Sequence, residues 1–104
     1  MDENTVNEGK TMAIISYITF IGLLIAYLVN NGKKNAFTQF HIGQSFRLVI
    51  LAIANMVLAT FLPNSLSIVT SIISLGILVL VILGIINAAN GKAVPLPIIG
   101  TIGG

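Results

Sequence analysis

The chain has 104 residues, of which 56% are hydrophobic and 8% charged, with no cysteine and a net charge of +2; its mean hydropathy is +1.02. So few charges cannot cover a water-soluble domain, where about a quarter of the residues are charged. The small, scattered positive excess excludes a nucleic-acid surface, and the lack of cysteine excludes disulfides and thiolate metal sites. The expected fold class is an all-α integral membrane protein of one domain, with three transmembrane helices and a lipid bilayer as solvent.

Residues 1–10 hold Asp2, Glu3, Glu8 and Lys10 and read as an acidic tail. The run that follows, "MAIISYITFIGLLIAYLV", has an acidic leader and no small-x-small cleavage pattern, which favours a retained helix over a signal peptide. It predicts a first span over residues 11–30, ended by "NNGKK". Residues 31–40 form a loop with an interfacial stretch, in which Phe37 and Phe40 stand at i, i+3 spacing. A second span over 41–62 and a third over 65–89 are separated only by Pro63 and Asn64, so they form a tight hairpin. "NAANGK" then supplies Gly91 as a left-handed cap and Lys92 at the negative end of the helix dipole. Residues 91–104 are too short and too broken by Pro95 and Pro97 to span, and are expected along the interface or against the bundle.

Three spans place Lys10 alone on one side, and Lys33, Lys34, Arg47 and Lys92 on the other. The positive-inside rule then puts the N-terminus outside and the C-terminus in the cytoplasm of a multi-pass cell (inner) membrane protein.

The polar atoms gather at "QFHIGQSFR". At 100° per residue His41, Gln44, Ser45 and Asn55 share one face of the second helix, and lipid offers them no partner. They are expected to bond between helices or to line a pathway. His41 alone cannot make a metal site or a proton relay, since no cysteine or carboxylate is expected near it; its ring is expected to reach a backbone carbonyl, with Gln44 helping. Only 15 residues separate Arg47 from the Pro63 turn, about 22 Å of helix. It therefore either snorkels to headgroups, alongside Lys33, Lys34 and Lys92, or is buried and paired. Small residues (Gly22 and Ala26, then Ser67, Thr70, Ser71, Ser74, Gly76 and Gly84) argue for close helix contacts, and Tyr17 and Tyr27 near the ends of the first span suit an interface. No nucleophile–base pair, paired carboxylate or phosphate loop is present, so no catalytic residue, metal or cofactor is assigned.

"ISYITFIG", "FTQFHIGQS" and "IINAANGKAVPLPIIG", in this order, resemble the bacterial relatives of the twenty-kilodalton subunit of the chloroplast inner-envelope protein-import translocon. The resemblance runs from about Ile15 to Gly100 and rests on Tyr17, Phe40, His41, Gln44, Asn87, Gly91, Pro97 and Gly100. It implies a membrane protein related to an import component described as channel-forming and usually drawn with four spans. The expected function is a non-enzymatic helix-packing subunit or scaffold, associating with other membrane subunits or with itself. The alternative is an oligomeric channel or transport element, with a link to protein import.

Overall fold

A computed structural model describes residues 1–102. Four α-helices, α1 (Glu3–Ile18), α2 (Phe20–Lys33), α3 (Ala36–Phe61) and α4 (Ser67–Ala89), follow one another, with a 3-10 turn (Asn64–Leu66) ahead of α4. The described residues hold no strand, and the class is all-α. Two stretches, Ala36–Phe61 and Asn64–Ala89, are long and apolar enough to cross a membrane.

The expected first span is not one helix. Asp2 caps α1 by accepting from the Thr5 N–H at 2.7 Å, and nothing from Glu3 to Lys10 breaks a helix. The supposed acidic tail is therefore the opening of α1. The chain then stops at Thr19, whose φ of −152° and ψ of 172° are extended. Its hydroxyl accepts from the Gly22 N–H at 3.0 Å and starts α2. Glycine at 22 lets α2 fold back, because a methyl there would run into the Ile15 carbonyl. Lys34, in the left-handed region at φ 51°, ends α2. Asn35 caps α3 through the Thr38 N–H at 3.0 Å, so the loop expected over 31–40 shrinks to the bend between Lys33 and Ala36.

Polar contacts fix how these helices lie. Asn30 ties the end of α2 to the start of α3, its Oδ1 accepting from the Asn35 N–H at 2.8 Å. Asn35 Nδ2 donates to Thr5 O at 2.9 Å, and Thr38 Oγ1 to Gly9 O at 3.1 Å. Seven residues further along both helices, Ser45 Oγ donates to Ser16 O. Hence α1 runs parallel to α3 at a constant offset of 29 residues, and α2 returns antiparallel. The offset places Thr19 level with Leu48, so α1 and α2 form a hairpin that reaches partway along α3.

The start of α1 and the segment that follows α4 consequently lie at one end, not at opposite ends. The start of α1 touches the region after α4: a Cβ on Gly91 would meet Val6 Cγ1 at 2.9 Å and Lys10 Cε at 3.3 Å. Asp2, Glu3, Glu8, Lys10, Lys33, Lys34 and Lys92 share that end, and the acidic residues are not remote from the basic ones. Past the reach of the α1–α2 hairpin and of Ile99 and Ile102, α3 and α4 pack on each other among the described residues. Met56, Phe61, Ile68, Ile72 and Leu75 are more than 60% exposed there. Rows of large apolar side chains turned outward on two helices long enough to cross a bilayer suit lipid as their surroundings.

Candidate functional site

The polar face of α3 meets three elements in turn. At its first level, α4 ends in a two-bond cap: Gly91 N–H donates to Ala88 O at 3.2 Å and Lys92 N–H to Asn87 O at 2.8 Å. Gly91 takes φ 71°, which a side chain disfavours. This turn aims the Lys92 carbonyl at His41, whose Nε2 lies 2.9 Å away. A carbonyl only accepts, so Nε2 carries a proton, and in the neutral ring Nδ1 is then the acceptor. Tyr17 O–H donates to that Nδ1 at 2.6 Å. Phe37 and Phe40 stand edge-on to the imidazole, with ring centroids 4.8 and 5.2 Å away. His41 and Phe37 are fully buried. The ring is a crosslink joining α1, α3 and the end of α4.

One turn on, Gln44 clamps the chain after α4. Its Nε2 donates to Gly100 O at 3.0 Å, and its Oε1 accepts from the Leu96 N–H at 2.9 Å. Leu96 and Ile99 are buried beside it, and Gly100 N–H closes the turn on Leu96 O at 3.0 Å. Pro97 starts this turn. Arg47, half-buried on a different face, donates from Nε to Ile102 O at 2.8 Å. Among the described residues it pairs with no carboxylate, and it is not wholly extended away from the fold.

The third level is Asn55. Its Nδ2 donates to Ser74 Oγ at 2.8 Å and Thr70 O at 3.3 Å on α4, while its buried Oδ1 has no partner among the described residues. Because one amide group is matched and the other is not, this contact should add little. Asn55→Leu is expected to change the unfolding free energy in detergent micelles by less than about 1 kcal/mol, the range of interhelical polar contacts in membranes. A loss of several kcal/mol on thermal unfolding would show that Asn55 is a principal tie.

Several candidates sit elsewhere than expected. Tyr17 is not an interfacial residue but 4% exposed against His41, whereas Tyr27 is exposed. Ser67 and Ser71 lie on the outer surface; Thr70 Oγ1 and Ser71 Oγ bond back to the Ser67 carbonyl at 2.9 and 3.1 Å. Gly76 has no neighbour where a Cβ would stand, but Gly84 lies against the Tyr17 ring. Lys33, Lys34 and Lys92 are exposed at the charged end, and Asn87 supplies the carbonyl of the α4 cap. The ties through Asn30, Asn35 and Thr38 were not anticipated. An Asn directly before a helical pattern is a capping signal, and Asn35 before Ala36 carried it.

The described residues contain no cluster of three or more His, Cys, Asp or Glu side chains. The site is thus a set of buried crosslinks that holds the α1–α2 hairpin and the final turn onto α3.

Comparison with known proteins corrects the resemblance drawn from the motifs. A family model described as the magnetosome magnetite crystal formation protein family, MamF/MmsF, matches residues 8–102. That range takes in all three motifs on which the translocon resemblance rested, and with it falls the expected link to protein import. No curated protein and no solved structure matches the chain. With nearly its whole length matched, the chain belongs to the magnetosome magnetite crystal formation protein family.

Proposed function

We propose that the protein is a non-enzymatic membrane subunit that contributes to magnetite crystal formation by packing against other subunits, or a second copy, in the magnetosome membrane. One observation carries this reading: polar side chains close on the chain's own backbone, and the surface offered to neighbours is apolar. His41, Gln44 and Ser45 bond to backbone carbonyls of the same chain, which supports a packing role over an open pathway. The turn between α3 and α4 offers Pro63, Asn64 and Ser65 and no carboxylate, so contact with iron from that side lacks ordinary ligands. A role through assembly fits better.

In the membrane, α3 and α4 form the crossing hairpin, and α1 with α2 a re-entrant one. Counting back about 20 residues from Leu62, the length that crosses about 30 Å of hydrocarbon, reaches Gly43. The tip at Thr19 then lies inside the hydrocarbon without crossing it. All five lysine and arginine residues belong to the half of the molecule away from the Pro63 turn. The positive-inside rule then places both termini in the cytoplasm.

Because the parent has no cysteine, single cysteines report topology without background. An impermeant maleimide is expected to label Asn4→Cys, Asn31→Cys and Ala93→Cys from the cytoplasmic side, and Asn64→Cys from the opposite side only. Labelling of positions 4 and 93 from opposite sides would restore a three-span topology. For the assembly itself, gentle detergent extraction from native membrane should yield a particle larger than the monomer. A lone monomer under those conditions defeats the subunit reading.

A further inference from the structure

Two openings meet at Arg47. One is a groove of about 500 Å³ running along α3 past Phe46, Ile50 and Ala54, walled on the far side by Ile99 and Ile102. The other, of about 330 Å³, lies toward the charged end and is bordered by Gln39, Gln44 and Thr101. Gly43 and Arg47 line both. A side chain at 43 would crowd the Arg47 guanidinium, which stands 3.3 Å from where its Cβ would be. Only the Nε–H of Arg47 is engaged, on Ile102 O; its other N–H groups have no partner among the described residues.

We propose that this cleft is a binding site for one anionic phospholipid, with the phosphate on the Arg47 guanidinium and an acyl chain in the Phe46–Ala54 groove. The polarity runs in the direction a lipid requires. The amides and the hydroxyl face the headgroup side, the cation stands at the boundary, and the apolar groove leads from Arg47 toward the Pro63 turn. By the residue count above, Arg47 lies about one turn inside the hydrocarbon boundary, where a long side chain reaches back to the phosphate level. A guanidinium whose remaining N–H groups meet neither an acceptor nor a carboxylate among the described residues is matched to phosphate oxygens. A neutral partner helix would fill the groove but leave those donors unmatched. The inference rests on the membrane placement of α3 and not on any partner protein.

The test uses the full chain in mild detergent, with bound lipid counted by native mass spectrometry. Phosphatidylglycerol, phosphatidylcholine and glycerol phosphate are the probes. The parent is expected to retain phosphatidylglycerol over phosphatidylcholine, and glycerol phosphate should not displace it. Arg47→Gln should lower phosphatidylglycerol retention by about fivefold, one cation's share of anionic-lipid attraction, while Arg47→Lys stays close to the parent. Ala54→Phe, at an exposed position of α3, should lower retention by filling the groove, and so serves if Arg47→Gln unfolds. Equal retention by parent and Arg47→Gln overturns the site. So does equal loss in Arg47→Gln and Arg47→Lys, which would mark Arg47 as an anchor for Ile102 alone. Displacement by glycerol phosphate would make it a free-phosphate site, and a second copy retained in place of lipid would make the groove an interface; either result also overturns the lipid assignment.

Discussion

Gly84→Ala is expected to lower the unfolding free energy by about 2 kcal/mol, within the usual range for overpacking, although alanine is the better helix former. The reason is the ring lying on α4. A Cβ at position 84 would sit 2.6 Å from Tyr17 Cζ and 2.7 Å from Cδ1, well inside van der Waals contact. A flexible side chain would step aside. Tyr17 cannot, because its hydroxyl is held by His41 Nδ1 at 2.6 Å, and His41 is held in turn by the Lys92 carbonyl. Any retreat of the ring opens the crosslink between α1 and α3 and leaves a buried nitrogen without a donor. Gly76→Ala on the same helix is the matched control. Among the described residues nothing beyond its own turn of helix lies within 4 Å of where a Cβ would stand, so the change should be neutral or stabilising by up to about 1 kcal/mol. Thermal unfolding of both variants in one detergent decides the matter, and equal effects would show that Tyr17 does not bear on α4.

The same ring shows how far the sequence could be read. The class, the tight turn at Pro63, the left-handed Gly91 and the close packing at Gly84 follow from local chemistry, since each depends on residues adjacent in the chain or on size alone. The break at Thr19 does not. It stands in a continuous apolar run without proline, and a Thr three residues before Gly22 is a weak signal beside eighteen residues of helix-compatible side chains. The break depends on contacts distant in sequence: Ser16 against Ser45, Gly9 against Thr38, Tyr17 against His41. Once missed, it inverted the side assigned to everything before it, including the acidic residues. The partners of the polar face were hidden for a related reason. Period alone shows that His41 and Gln44 point the same way. It cannot show that what they meet is backbone rather than another side chain.

The largest loss is expected at Gln44, for which about 3 kcal/mol or more should disappear in Gln44→Ala. Two backbone groups depend on its amide, the Leu96 N–H and the Gly100 carbonyl, both buried under Leu96 and Ile99. Each buried group left unmatched costs about 1–3 kcal/mol, and the emptied space adds to this. The turn cannot absorb the loss by adjusting in place, because Ile98 is already held at φ 73°. A β-branched residue avoids that region, and Ile98, 87% exposed, gains no burial in return. Without Gln44 the segment should therefore release as a unit and not merely loosen. Gln44→Leu separates shape from hydrogen bonding: it fills most of the space and should still release the turn. Hydrogen exchange is the direct measurement. Fast exchange of the Gly100 and Ile102 amides, whose bonds exist only in the folded turn, is expected with α3 and α4 still protected and helicity unchanged. Continued protection of those two amides in both variants would mean that burial of Leu96 and Ile99 holds the turn by itself, and that the amide of Gln44 is not its clamp.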